Sequence, residues 1–351
     1  MNHQYYNVIG VMSGTSLDGI DIARIELVRT DSWNFQICER KCVSYSSQWH
    51  DRLKDITLLD PDKIHMVNQQ YTELLAQCIN DFIIEHQLTN ILAICSHGHT
   101  ATHDPVNGHT LQIGNLSQLA RLVNHRVVCD FRVQDVTMGG QGAPLVPIGD
   151  RLLFNEYDYC LNLGGFANLS YEQDDRRIAY DICAVNVVLN HYARQLGREY
   201  DDDGAFAKAG TPHTPTLEKL NALPFYTLQA PKSLGIEWVN ENVFPILQKL
   251  TDTKDALATY CAHIAIQISK NIKAGSKVLV TGGGAFNTYL IQLAANKSNV
   301  NYHIPDEKLI NYKEALIFAL LGVLRLRNEN NVLASVTGAK RDHCSGMIYL
   351  P

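Results

Sequence analysis

Apolar and polar positions along the chain alternate in blocks that predict strands punctuated by glycine turns, with helices between them. Residues 8–27, VIGVMSGTSLDGIDIARIEL, open with an apolar run from Val8 to Met12, break at Ser13-Gly14-Thr15-Ser16-Leu17-Asp18-Gly19, and resume at Ile20, Ile22, Ile25 and Leu27. That order predicts strand, tight polar turn, strand. Residues 35–45 read as a third strand, and 51–58 and 61–86 as helices. In the second helix Ile64, Val67, Tyr71, Leu74, Leu75, Cys78 and Phe82 recur at helical spacing. Residues 91–95 form a short buried strand that enters the polar run Ser96-His97-Gly98-His99-Thr100. A helix over 115–123 follows, with Asn115 as its cap, and then a strand at Val127–Cys129. Residues 157–171, YDYCLNLGGFANLSY, repeat the opening grammar around Gly164-Gly165. The strand at 178–180 ends at Asp181 and precedes a helix over 185–196. A long apolar helix spans 255–272. The strand Lys277–Thr281 enters Gly282-Gly283-Gly284, with a helix from Thr288, and a last apolar helix covers 313–326.

Each half therefore begins with strand, glycine turn, strand. Between the two lies a helix-rich section with two short strands. This predicts duplicated α/β domains facing each other, with glycine turns from both approaching one phosphate chain. At 351 residues the chain is too long for one ordinary core. The Gly/Pro-rich run Met138-Gly139-Gly140-Gln141-Gly142-Ala143-Pro144-Leu145-Val146-Pro147 is the best candidate crossover. The expected division is a first domain at 1–130, a second at 131–326 carrying nucleotide-binding elements, and a tail at 327–351 returning to the first.

Composition narrows the function classes. A formal net charge of -6 argues against a broad basic face for nucleic acid. No run of 18 apolar residues exists to span a membrane, and the opening MNHQYYNVIGVMSG has no signal-peptide pattern. Nine cysteines sit mostly in apolar strand-like runs with no C-x-x-C pair. Reduced, buried thiols in a cytoplasmic protein are expected, rather than disulfides or zinc.

The candidate chemistry sits at the ends of the strands. The turn at 13–19 has the contents of a phosphate cradle: Gly14 and Gly19 for close backbone approach, and Ser13, Thr15 and Ser16 as hydroxyl donors. Asp18 and Asp21 can hold Mg²⁺ through water. No Walker motif occurs, and a Ser/Gly-rich hairpin with solubilising aspartates is the alternative. His97, His99, His103 and His109 lack a neighbouring cysteine or carboxylate at metal-site spacing. A polar loop in which one histidine contacts a sugar hydroxyl is the better reading. Arg132 is a fork donor suited to a carboxylate or phosphate, or a salt-bridge partner of Asp130 or Asp135. Asp181 at a strand end suits a general base or a helix cap. Gly282-Gly283-Gly284 after a strand and before a helix lets a nucleotide approach the helix N-terminus. Asp201, Asp202 and Asp203 read as a solvated acidic loop, and Trp238 as exposed.

Several motifs belong together. Met12-Ser13-Gly14-Thr15-Ser16-Leu17-Asp18-Gly19-Ile20-Asp21, Ser96-His97-Gly98, Asp130-Phe131-Arg132, Gly139-Gly140-Gln141-Gly142-Ala143-Pro144-Leu145-Val146-Pro147, Asn162-Leu163-Gly164-Gly165, Gly282-Gly283-Gly284 and Glu314-Ala315 span nearly the whole chain. On them the chain resembles the 1,6-anhydro-N-acetylmuramic acid kinases of the sugar kinase/actin/hexokinase superfamily. The resemblance implies two actin/hexokinase-like domains of duplicated ribonuclease H-like topology with a cleft between them. It implies an ATP- and Mg²⁺-dependent enzyme of cell-wall recycling in the cytoplasm. Water would open the anhydro ring at C1 while the γ-phosphoryl goes to O6, giving N-acetylmuramic acid 6-phosphate.

The resemblance maps the catalytic base onto Asp181. It places His97, Arg132 and Glu314 around the sugar. It sets Ser13, Gly14, Thr15, Ser16, Asp18, Gly19, Asp21, Gly164, Gly165, Gly282, Gly283 and Gly284 around ATP, with Asp18 toward the metal. A homodimer follows by analogy with the superfamily. Three places depart from the family pattern and bear on the substrate. Asp-Thr-Gly-Pro-Gly-Asn appears as Asp181-Ile182-Cys183-Ala184-Val185-Asn186, Lys-Ser-Thr-Gly-Arg-Glu as Lys232-Ser233-Leu234-Gly235-Ile236-Glu237, and His99 stands in place of glutamine. The rival readings are a related kinase acting on another amino sugar or hydroxyl and a non-catalytic actin-like nucleotide binder. Retention of Asp181 and of polar strand ends argues against the second.

Overall fold

The computed structural model describes residues 4–14 and 17–351. The chain divides into two compact units, Met1–Leu153 with Tyr312–Pro351, and Phe154–Asn311. Unit 1 holds strands β1 (Gln4–Ser13), β2 (Ile20–Arg29), β3 (Trp33–Val43), β4 (Ala93–Asp104), β5 (His109–Ile113) and β6 (Val127–Cys129). Unit 2 holds β7 (Tyr159–Leu163), β8 (Phe166–Gln173), β9 (Arg176–Ala184), β10 (Lys277–Thr281) and β11 (Asn301–His303). The last strand, β12 (Met347–Tyr349), returns to unit 1.

In unit 1 the sheet order is β12-β6-β4-β1-β2-β3, with β5 hairpinned onto β4. β1, β2 and β3 form an antiparallel meander, whereas β4 and β6 add parallel to the other side of β1. In unit 2 the order is β11-β10-β7-β8-β9. Again the first three strands form an antiparallel meander and the last two add parallel. The same five-stranded plan thus occurs twice, which is the duplicated ribonuclease H-like α/β topology. The two hairpins β1–β2 and β7–β8 are the two glycine-turn motifs read from the sequence.

β1 is apolar on successive residues because it is covered on both faces. Ile9 and Val11 meet Leu75, Ile79 and Phe82 of the helix Pro61–Glu85. That helix starts where Asp60 accepts from the Lys63 N–H and Pro61 takes the first turn. On the other face, a Cβ at Gly10 would lie 2.0 Å from the carbonyl oxygen of Ala315. The helix Glu307–Leu326 therefore lies directly on β1, and only glycine fits between them. The core of unit 2 is built on Leu161, Leu163 and Leu169 against Leu257, Tyr260, Ile264 and Ile268 of the helix Thr253–Asn271.

Several boundaries differ from expectation for physical reasons. The compact units divide at 153/154 and 311/312 rather than at 130/131 and 326/327. The Gly/Pro-rich run is a turn inside unit 1, where Asp135 accepts from Gly142 N–H at 2.7 Å. The last long apolar helix begins at Glu307, not 313, because Asp306 caps it through the Leu309 N–H. β4 continues through His97 and His99 to Asp104, so the expected histidine loop is a β4–β5 hairpin. Asn115 is not a helix cap. That helix is Gln118–Val123, and the Asn115 amide donates to the His97 carbonyl at 3.0 Å. Of the aspartates read as solvated, Asp201 is buried and receives the Phe206 and Ala207 N–H groups. Trp238 is half-buried against Phe225 and Tyr226 rather than exposed.

Candidate active site

In unit 1 the β1–β2 turn lies over a buried polar network. Ser13, the last residue of β1, is 1% exposed. Its hydroxyl lies 2.5 Å from the Tyr45 hydroxyl, accepts from Tyr71 at 2.8 Å, and sits 3.3 Å from His99 Nδ1. Tyr45 and Tyr71 are themselves 2.6 Å apart. The Ser13 side chain is thus turned inward, and it anchors the turn rather than presenting a donor at the surface. Burial lowers the His99 pKa to about 4, which keeps the imidazole neutral within this network. Beyond Ser13, Leu17 N–H bonds the Gly14 carbonyl at 3.4 Å, and Leu17 itself takes φ 61°. Gly19 is required because a Cβ there would lie 2.5 Å from the Val43 carbonyl on β3. Thr15 and Ser16 lie outside the described residues. Asp18 is exposed at the tip. Asp21 is half-buried on β2; burial raises its pKa, with a Cys42 hydrogen bond opposing and Asp18 adding to the rise.

Arg132, His97 and Glu314 come together in the same unit. Arg132 Nε donates to His97 Nε2 at 2.9 Å, and Nη1 donates to the Gly142 carbonyl at 2.6 Å. Its guanidinium takes these partners rather than the carboxylates of Asp130 or Asp135, so the salt-bridge alternative does not hold. The Asp135 carboxylate is engaged by Gly142 N–H and by the Thr337 hydroxyl at 2.7 Å each. Burial lowers the Arg132 pKa to about 10, with Glu314 and Asp135 opposing, and the group stays cationic at neutral pH. His97 is buried, and its Nδ1 lies 2.8 Å from the Gly98 carbonyl. Burial and then Arg132 drive its pKa well down. Glu314 is open to water yet crowded by protein, which raises its pKa; Arg132 and Lys313 pull it back and Asp21 adds to the rise. The result is a fixed cation, a neutral imidazole and an accessible carboxyl on adjoining elements.

The second cluster lies in unit 2. Asp181 is inside β9, three residues before its end, and not at a strand terminus as expected. It does not cap a helix either. The helix Asn186–Gln195 has Val185 at its cap position, and its first N–H groups are taken by the glycine turn. Val185 N–H bonds Gly165 at 2.8 Å, Asn186 N–H bonds Gly164 at 3.3 Å, and Val187 N–H bonds Gly165 at 3.3 Å. The half-buried Asp181 carboxylate accepts from the Leu234 N–H at 2.8 Å and from the Asn168 amide. Its backbone N–H bonds the Lys232 carbonyl at 3.0 Å. Burial raises its pKa, while the Leu234 and Asn168 donors lower it.

The triple glycine meets this cluster. Gly282 has φ 81°, and a Cβ on it would lie 2.6 Å from Asn162 Oδ1 and 2.8 Å from the Leu163 carbonyl. Gly283 is exposed with its nearest neighbour, Asn186 Nδ2, at 3.8 Å. Gly284 would strike the Leu163 side chain at 2.8 Å. Asn186 bonds the Leu163 carbonyl at 3.2 Å. Gly164-Gly165, Gly282-Gly283-Gly284 and the start of the helix Asn186–Gln195 are thus one assembled surface. The partners of Asp181, Asn168 and the Leu234 N–H, carried no assigned role in the sequence reading. The available signal was a polar residue inside each of the apolar strands YCLNL and FANLSY.

A twice-repeated ribonuclease H-like sheet with a glycine-lined surface is a plan that ATP-using sugar kinases share, and the relatives of this sequence make it a kinase. The family model for anhydro-N-acetylmuramic acid kinase matches residues 6–351. Anhydro-N-acetylmuramic acid kinase of Pseudomonas syringae pv. syringae is 34% identical over 363 residues, covering 97% of this chain and 98% of its own. That of Saccharophagus degradans is 31% identical, covering 98% of each. The chain belongs to the anhydro-N-acetylmuramic acid kinase family. Among solved structures, component A of the Acidaminococcus fermentans (R)-2-hydroxyglutaryl-CoA dehydratase is similar at TM-score 0.45 and 13% identity, covering 90% of this chain and 97% of that one. Among the described residues no helix is long and apolar enough to cross a membrane.

Proposed function

We propose that this kinase acts in the cytoplasm on 1,6-anhydro-N-acetylmuramic acid, using ATP and one water to give N-acetylmuramic acid 6-phosphate and ADP in cell-wall recycling. The observation that supports this reading most directly is the Asp181 carboxylate. It is half-buried, raised in pKa, held by two donors, and free of the helix-capping duty that was its alternative. In the proposed step Asp181 accepts a proton from water, the water oxygen bonds to C1, and the C1–O6 bond breaks. The O6 electron pair takes the γ-phosphoryl group, and the bridging oxygen leaves with ADP.

Arg132 binds the lactyl carboxylate or a neighbouring sugar oxygen. After its bonds to His97 and Gly142, Nη2 donates to no acceptor among the described residues, and a guanidinium suits a planar anion. His97 holds Arg132 in place, and Glu314 accepts from a sugar hydroxyl. In unit 1 the β1–β2 turn, with Gly14, Thr15, Ser16 and Gly19, would bind nucleotide, with Ser13 anchoring that turn and Asp21 behind it; in unit 2 the nucleotide-binding residues would be Gly164, Gly165, Gly282, Gly283 and Gly284.

Among the described residues no three His, Cys, Asp or Glu side chains converge as a metal cage. Mg²⁺ keeps most of its waters and is held by one or two carboxylates plus phosphates. In this reading the exposed Asp18 holds the ion through water. Bound there, the ion would neutralise phosphate charge.

Product analysis in oxygen-18 water tests the reading. One labelled oxygen at C1 and none in the phosphate is expected, measured against exchange into preformed product. Label in the phosphate, or phosphorylation of a free hexosamine in preference to the anhydro sugar, would overturn it.

A further inference from the structure

A row of polar side chains crosses three strands of unit 2. Asn162 on β7, Asn168 on β8 and Asp181 on β9 are direct cross-strand neighbours. Asn162 Nδ2 donates to Asn168 Oδ1 at 3.3 Å, and Asn168 Nδ2 donates to Asp181 Oδ1. The first bond fixes the direction of the second. An amide that accepts on its oxygen from Asn162 must turn its NH₂ toward Asp181. Oδ2 of the carboxylate is held from the other side by Leu234 N–H.

The alignment depends on an irregularity in the sheet. The β8–β9 register pairs Ala167 with Cys183 and then Asn168 with Asp181, so Ile182 is an extra residue on β9. Continued without that bulge, the register would set Ile182 opposite Asn168 and turn Asp181 to the other face. Bulges of this kind re-aim a side chain beside an active site. Asn168 is exposed, so it fills no core space and its amide is not explained by burial.

We infer that Asn168, oriented by Asn162, is a positioning residue that holds the Asp181 carboxylate ionised and aimed at its water. The inference rests on the reading of Asp181 as the base. Without the Asn168 donor, the burial that raises the Asp181 pKa is opposed by Leu234 alone. The titratable groups around the site do not replace it. Lys232, on the segment crossing β9, sets its ammonium over the rings of Phe225 at 4.7 Å and Tyr180 at 5.8 Å. Cys183, two residues along β9, and Tyr226 and Tyr260 near it are all raised by burial and stay neutral.

The test uses the full-length enzyme with Asn168→Ala and Asn168→Asp, measuring kcat and KM against pH together with melting temperature. Both variants should keep KM for ATP within about twofold and lose about tenfold in kcat at neutral pH, as for removal of a bond to a charged group. The acidic limb of kcat/KM should move to higher pH in the alanine variant and further in the aspartate variant, where a second carboxylate adds repulsion. An acidic limb unmoved in the alanine variant would overturn the inference, whatever happens to kcat, melting temperature or the aspartate variant. Asp181→Asn separates the two levels. If it is nearly inactive while the Asn168→Ala limb stays put, only the positioning role fails. If it turns over normally, the base itself is wrong.

Discussion

Arg132 Nε donates to His97 Nε2 at 2.9 Å, and this contact settles the protonation of both side chains. A guanidinium has no acceptor, so His97 must present a lone pair at Nε2 and carry its proton at Nδ1, toward the Gly98 carbonyl at 2.8 Å. The imidazole is neutral, the arginine is charged, and neither can swap roles across the physiological range.

Arg132→Ala should therefore have two signatures. Sugar affinity should fall by roughly tenfold or more, since a hydrogen bond to a charged group is worth about 1.5–3 kcal/mol, while ATP affinity barely moves. The His97 pKa, relieved of the cation that helps lower it, should rise toward its ordinary value, as followed by imidazole NMR. Retained sugar affinity with a large loss of melting temperature would mean that Arg132 only braces the β4–β5 hairpin.

Asp181→Asn is nearly isosteric and removes the base. Turnover should fall by about 10²–10⁴-fold with little change in either substrate's affinity and a modest drop in melting temperature, because the new NH₂ must face one of the two donors. In the native enzyme activity should fall as pH drops through the raised pKa of this carboxyl, so the acidic limb should lie above 3.8. Near-normal turnover in the asparagine variant would sink the mechanism.

The triple glycine allows structure and ligand contact to be separated. Gly282→Ala puts a side chain at φ 81° and 2.6 Å from Asn162 Oδ1, which should cost about 1–3 kcal/mol of stability. Gly283→Val enters open space, with nothing closer than 3.8 Å, and should leave melting unchanged while weakening ATP binding. Equal nucleotide affinity in a well-folded Gly283→Val protein would place the nucleotide elsewhere.

A buried histidine gives the stability profile a sign. His263 is fully buried between Asn221, at 2.9 Å from Nδ1, and Tyr226, at 2.9 Å from Nε2, and burial lowers its pKa to about 3. Below pH 6.5 the unfolded chain binds the proton that the folded one refuses. The contribution of this group to stability is thus present above pH 6.5 and lost as pH falls toward 3. His263→Gln should melt lower at pH 7 but with a shallower decline between pH 6.5 and 4 than the native protein. Parallel declines would show that His263 titrates normally.

Local residue patterning specifies the repeated strand–glycine–strand grammar, the strand Lys277–Thr281 before its triple glycine, and the residue types at each strand end. These signals are local: period-two apolar runs, turn residues, and the helical spacing of residues 61–85. It also carried the family, because the long motif from Met12 to Asp21 is read residue by residue. Tertiary structure alone decided which polar groups are spent and which are left for a ligand. Ser13 looks like a phosphate donor in the motif, yet two tyrosines from distant elements take its hydroxyl. Arg132 has two aspartates nearby in sequence, yet it turns to a histidine 35 residues away. Asp181 reads as the end of a strand, yet β9 runs on to Ala184 and a single extra residue, Ile182, sets Asp181 opposite Asn168. In each case the outcome depends on a partner brought close by sheet register or helix placement, and no spacing within the local sequence encodes that distance.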